Sequence, residues 1–180
     1  MADILIRNGT VIAIDAERRI IADGAVAIEG DRIVAVGPSE EVARDHPAGE
    51  VIDARGMAIM PGFVDAHAHA GHGLVKTIGG GRSEPWYKAC AGGYTVGSTP
   101  EFWHAEAQLA ALERLRFGVT TGVSLLGGGD SVMRTDRPEY GDAHMEGVLG
   151  IGTRSVVAIG STRPPHPLTY ARWDGDTRTD

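Results

Sequence analysis

The stretch Met60-Pro61-Gly62-Phe63-Val64-Asp65-Ala66-His67-Ala68-His69-Ala70-Gly71-His72 constrains this chain more than any other. A Pro-Gly turn opens it, apolar and small residues follow, and a histidine pair closes it. Side chains of a strand alternate between two faces. Phe63, Asp65, His67 and His69 therefore share one face, and Val64, Ala66 and Ala68 the other. The small residues of the second face admit close packing of helices. Two imidazoles two residues apart can put nitrogens on one cation, a geometry that suits zinc first, with iron, cobalt or manganese as alternatives. An H-x-H pair alone fits ordinary surface or core histidines as well, so the surrounding polypeptide has to carry the reading.

The chain of 180 residues is 42% hydrophobic and 23% charged, as ordinary globular proteins are. Its formal net charge of -7 argues against nucleic acid as a partner, because neutralising phosphates takes a basic face. A single cysteine, Cys90, allows no internal disulfide and suits a cytoplasmic setting. A lone cysteine in a glycine-rich stretch is more often inert than nucleophilic. The N-terminus lacks the basic and apolar regions of a signal peptide, and no run is long enough to span a bilayer.

Residues 3 to 37 read as β-structure. Asn8-Gly9 between Ile4-Leu5-Ile6-Arg7 and Thr10-Val11-Ile12-Ala13-Ile14 signals a hairpin, and Glu29-Gly30-Asp31 signals a second. Ser39 can cap a short helix that Pro47 ends. Val51-Ile52-Asp53 and Met57-Ala58-Ile59 return as strands. Ala70 to Ser98 is expected to be irregular, with eight glycines; it reads as a lid or hinge bordering the active site, or as a plain surface loop. Gly79-Gly80-Gly81-Arg82 is not a phosphate loop, since the Gly-Lys-Ser/Thr ending is missing. Thr99-Pro100-Glu101 opens a helix running to about Arg116, with Gly118 placed to end it. Its apolar stripe reads as Leu109, Leu112 and Leu115 with Ala105 and Gln108. Val119 to Leu126 is a strand, Pro138 to Leu149 a helix and Arg154 to Ile159 a third strand, before a polar tail.

Taken together, the Pro-Gly-apolar-x-Asp-x-His-x-His stretch resembles the signature of the amidohydrolase superfamily, where it closes the first strand of a metal-bearing (β/α)8 barrel. The strand pattern before it looks like the small β-sandwich that precedes that barrel. Glu113-Arg114-Leu115-Arg116-Phe117-Gly118-Val119-Thr120-Thr121 resembles a segment of the deaminase and triazine-hydrolase branch, though Ser124 stands where that branch often has aspartate. The resemblance implies an α/β fold: residues 1–58 as part of a β-sandwich, and residues 59–180 as the first three strand-helix units of the barrel. A whole barrel takes roughly 250 residues, and from Ile59 onward there are about 122. The chain is therefore expected to be a fragment, or to need a complementary polypeptide, within a higher oligomer.

For function, the resemblance implies a metal-dependent hydrolase that uses activated water on a C–N, C–Cl or C–S bond of a small, often nitrogen-rich molecule. Cyclic-amide or urea-type hydrolysis is the alternative within the family, and a non-catalytic half-site subunit the alternative outside it. His67 and His69 are the expected metal ligands. Family members add two histidines and an aspartate from later strands, the aspartate serving as general base, and binuclear members add a carboxylated lysine. On that pattern this chain carries half a site and no catalytic acid or base of its own. Asp65 either orients a histidine or forms a structural salt bridge. His72 and Lys76 either touch substrate or belong to a bland loop, with Lys76 in place of the branch's arginine. Trp86 and Tyr94 either line a substrate slot or pack structurally. His104 and His144 are expected at the surface of helices, and His166 is undecided.

Overall fold

The computed structural model describes residues 1–69, 72–95, 98–128, 131–132, 138–158, 172–174 and 177–179. The side chain of Tyr94 and all of His166 lie outside the described part. The chain divides into two units, Met1–Pro61 and Gly62–Asp180.

In the first unit, β1 (Ala2–Ile12), β2 (Ile20–Glu29), β3 (Arg32–Pro38), α1 (Ser39–Asp45), β4 (Ala48–Asp53) and β5 (Ala58–Ile59) follow one another. The sheet order is β3-β2-β1-β4, with β5 pairing on β1. The β2–β3 hairpin forms at Gly30, whose φ of 57° is the left-handed region that glycine reaches without penalty. Asn8-Gly9 makes no hairpin. β1 runs straight through it as an irregularity in the β1–β2 register. Asn8 takes a φ of 65°, and its backbone N–H donates to Ser39 Oγ at 2.9 Å while its amide donates to Asp53 Oδ1 at 2.9 Å. At Gly9 a Cβ would lie 2.9 Å from the Ile59 side chain, so glycine there serves packing. The reversal comes later, where Asp15 accepts from the backbone N–H of Arg18 and of Arg19.

Ser39 is likewise not the helix cap. Pro38 holds that position, and Ser39 Oγ, buried, donates to Gly24 O at 2.9 Å. Alanines dominate the core of this unit: Ala2, Ala25 and Ala27 pack with Leu5 and Val42.

The second unit contains β6 (Phe63–His69), α2 (Ser83–Thr95), α3 (Pro100–Arg116), β7 (Val119–Leu125), β8 (Gly127–Gly128), β9 (Ser131–Val132), α4 (Pro138–Ile151), β10 (Arg154–Ala158), β11 (Arg172–Asp174) and β12 (Thr177–Thr179). Its main sheet is parallel, in the order β10-β7-β6. Parallel neighbours need a crossover; α2 and α3 lie between β6 and β7, and α4 between β7 and β10. The whole is a mixed α/β protein, and among the described residues no helix is long and apolar enough to cross a membrane.

Three sequence expectations change here. The stretch to Ser98 is not irregular throughout, because Ser83–Thr95 is helical: Glu84 and Lys88 pair at i,i+4 and Cys90 is buried. The buried face of α3 carries Trp103, Glu106, Ala107 and Ala111, whereas Leu112 and Leu115 are 47% and 43% exposed. His144 is 1% exposed, in the interior of the unit, and His104 is half-buried. The start and end of α3 follow the sequence. Thr99 accepts from the backbone N–H of Phe102 at 3.2 Å, and Gly118 has a φ of 80°.

Candidate metal centre

The histidine strand is anchored before it reaches its end. Phe63 N–H donates to Gly118 O at 2.8 Å, and a Cβ at Gly62 would lie 2.2 Å from Thr120 Oγ1, so only glycine lets β6 start this close to β7. The β6–β7 register shifts between Asp65 and Ala68. There the Asp65 carboxylate accepts the backbone N–H of His67 at 3.3 Å, a local bond that competes with the ladder. Its other oxygen lies 3.3 Å from Arg114 Nε. Of the two roles open to Asp65, the contacts are those of a salt bridge that also holds the strand backbone.

At the strand end the imidazoles of His67 and His69 meet, with their Nε2 atoms 3.2 Å apart and the rings at 70°. Two nitrogens each 2.0–2.1 Å from one tetrahedral zinc ion would be about 3.3 Å apart. The observed separation matches that of two nitrogens sharing one divalent cation. Among the described residues no group of three His, Cys, Asp or Glu side chains is placed to hold a metal.

From the pair a row of rings leads outward. His72 stacks on His69 with centroids 5.2 Å apart, and meets Trp86 edge-on at 5.0 Å. Burial, and then the neighbouring His69, push the pKa of His72 below the ordinary histidine value. Trp86 is fixed by its indole N–H, which donates to Val75 O at 3.1 Å, and it packs with Val75 against the cluster of Cys90, Trp103, Leu126 and Tyr140. Cys90 thus sits in an apolar cluster and is buried. Lys76 forms an ion pair with Glu113.

Three residues of α3 to which the sequence assigned no role, Glu113 and Arg114 of the family-like segment and Glu106 before it, hold these parts together. Glu106, fully buried, accepts the backbone N–H of Gly73 at 2.6 Å and of Leu74 at 2.7 Å. Glu113 takes Lys76. Arg114 reaches Asp65, Val123 O at 3.3 Å and Ser124 Oγ at 3.4 Å, and Ser124 in turn meets Ser155 Oγ at 3.2 Å. The spacing of Glu106, Glu113 and Arg114, seven and eight residues apart, was the available signal, since it puts them on one side of a helix.

A family model for an imidazolonepropionase-like composite domain of bacteria matches residues 24–48. The chain is 29% identical over 178 residues to a 5-methylthioadenosine/S-adenosylhomocysteine deaminase of Pelotomaculum thermopropionicum, covering 97% of this chain and 40% of that one. It is 33% identical over 121 residues to the protein of the same name from Syntrophobacter fumaroxidans, covering 67% and 28%. Among solved structures, atrazine chlorohydrolase from Arthrobacter aurescens TC1 complexed with zinc superimposes with a TM-score of 0.68 at 27% identity, over 88% of this chain and 36% of that one. An adenosine deaminase from Xanthomonas campestris with bound zinc does so with a TM-score of 0.67 at 25% identity, over 86% and 33%. The chain thus spans two fifths or less of the length of these relatives.

Paired imidazoles ending a parallel strand, in a fold shared with two zinc-bound enzymes, define the class as an α/β protein similar in fold to those enzymes. Within that class, the chain belongs to the amidohydrolase superfamily and corresponds to part of its members' length.

Proposed function

We propose that this chain supplies the paired-histidine side of a metal-dependent hydrolase that cleaves a C–N bond, or a C–Cl or C–S bond, of a small nitrogen-rich molecule. The observation that carries the reading is the 3.2 Å separation of His67 Nε2 and His69 Nε2. The names of the relatives, deaminases and a chlorohydrolase, support the bond class. His67 and His69 would hold the ion, zinc first and iron, cobalt or manganese otherwise. A divalent ion in such a site supplies activated water as the nucleophile.

The chain's own residues position and exclude. In this reading Asp65 steadies the histidine strand from behind. His72, whose pKa burial lowers, and Trp86, which meets it edge-on, would border the substrate, with Lys76 lining a pocket beside Trp86. Catalytic zinc typically keeps three protein ligands and one open position, so a further donor has to join the two histidines. We assign that donor, and the acid or base that moves the proton, to complementary polypeptide carrying the rest of a (β/α)8 barrel. Residues 59–180 would contribute the barrel's first three strand-helix units, and residues 1–58 part of a β-sandwich.

The test is metal content. After dialysis against zinc, elemental analysis should find the ion in the protein and at least tenfold less in the His67→Ala/His69→Ala variant at equal folded fraction. Equal metal in both would remove the histidine pair from the site.

A further inference from the structure

Beside the ring row lies a shallow pocket of about 210 Å³, lined by Lys76, Gly79, Gly81, Arg82, Ser83 and Trp86. Pockets for whole small molecules run to about 300–1,000 Å³, so this one has room for a substituent and not for a complete ligand. Its shape is fixed by glycine. A Cβ on Gly79 would lie 2.4 Å from Trp86 Cβ and 2.6 Å from Arg82 O, and Gly81 has a φ of 82°.

The charge of the pocket is lopsided. Both ionisable residues that line it are cations. Lys76 is offset by Glu113, and the nearby Glu84 is taken by Lys88. Among the described residues Arg82 has no carboxylate within ion-pair distance. A guanidinium with a lysine and a serine hydroxyl alongside is suited to a planar or tetrahedral anion, which Arg engages through two parallel N–H donors. Trp86 belongs both to this pocket and to the row that leads through His72 to His69. A ligand with its ring against that row can therefore place a substituent in the pocket.

We propose that the Lys76–Arg82–Ser83 pocket binds an anionic substituent of the substrate, so that the molecule taken by this site carries a carboxylate or phosphoryl group at the end remote from the bond that is cleaved. The word substrate rests on the hydrolase reading above; anion binding by the pocket does not. This is unlike a phosphate loop, which grips with consecutive backbone N–H groups and a Gly-Lys-Ser/Thr ending. Here side chains carry the charge, and the glycines only keep the floor open.

The experiment titrates the whole chain with succinate, inorganic phosphate and the neutral succinamide, reading the indole N–H resonance of Trp86 by NMR. Succinate or phosphate should shift this resonance saturably, succinamide should not, and added sodium chloride should weaken the binding. Response to succinate alone assigns the pocket to carboxylates, and to phosphate alone assigns it to phosphoryl groups. Arg82→Gln should weaken the binding at least tenfold and Arg82→Lys less, with the Trp103 resonance unmoved as the control for folding. No response to either anion, or equal affinity in wild type and Arg82→Gln, overturns the proposal. The His67→Ala/His69→Ala variant separates the two readings. Anion binding kept while metal is lost upholds the pocket independently of the ion, and anion binding lost together with the metal overturns it.

Discussion

His144 offers the sharpest physical test of the second unit. Its ring is 1% exposed, in the middle of α4, and among the described residues neither nitrogen has a hydrogen-bond partner. Burial, and then the positive charge of Arg114, lower its pKa from 6.5 to about 4. The unfolded chain therefore takes up a proton near pH 6.5 and the folded chain only near pH 4. Between these values the unfolded state binds more protons, so stability falls as the pH falls, and below the folded pKa this group costs nothing further. At about 1.4 kcal/mol per unit, the loss relative to pH 7 is about 2 kcal/mol at pH 5 and about 3 kcal/mol at pH 4. His144→Leu, similar in volume and never charged, should lack that loss. Urea titrations at pH 7 and pH 5 measure it, with tryptophan fluorescence as the probe, because Trp86, Trp103 and Trp173 all lie in Gly62–Asp180. The depressed carboxyls of Asp15, Asp45, Asp53 and Glu101 give up their contribution only below their ordinary range of 3.8 to 4.5. The lowered pKa of His72 acts equally in both proteins and cancels. Equal drops in wild type and variant between pH 7 and pH 5 would refute the reasoning.

Glu106→Ala should cost about 2–4 kcal/mol, because two backbone N–H groups lose a charge-assisted acceptor; hydrogen exchange at Gly73 and Leu74 should speed up selectively. Gly147→Ala should cost about 1–3 kcal/mol by urea titration, since its Cβ would lie 2.6 Å from the backbone oxygen of His104 and α3 would have to move off α4. Arg114→Met should speed hydrogen exchange at the His67 backbone N–H that Asp65 accepts, and an unchanged rate would deny that the ion pair seen at 3.3 Å steadies the strand.

Much of the second unit was legible because its signals are local. Thr99-Pro100-Glu101 and Gly118 mark the ends of α3 through capping chemistry that needs no tertiary partner. That His67 and His69 share a face could be read from strand alternation. The misreadings share a cause in long-range packing. Asn8-Gly9 has the dihedral preferences of a hairpin, but Ser39 and Asp53 satisfy its polar groups inside a continuing strand. α2 was hidden because Gly92 and Gly93 lower helix propensity, while the burial of Cys90 and the anchoring of Trp86 add tertiary packing that a propensity reading omits. His144 looked like a surface residue because polarity is a poor guide where an imidazole stays neutral and buried.

The face of α3 is the most instructive of these cases. A hydrophobic count selects Leu109, Leu112 and Leu115, yet the helix turns Glu106 into the protein and keeps Arg114 largely covered. Apolar packing could bury that face just as well, but it could not hold the polar ends of a strand and a loop. Glu106 holds the turn at Gly73 and Leu74, Glu113 holds Lys76, and Arg114 holds Asp65 two residues before His67. All three tethers run to the segment that starts with the histidine strand and ends at the cationic pocket. A metal ligand is useful only if its ring is in place before the ion arrives, since ordering a loose strand end would subtract from the binding energy. One rigid helix that grips the strand before the histidine pair and the loop beyond it supplies that order. The charges that spoil the amphipathic pattern of α3 are, on this account, the reason His67 and His69 point at the same place.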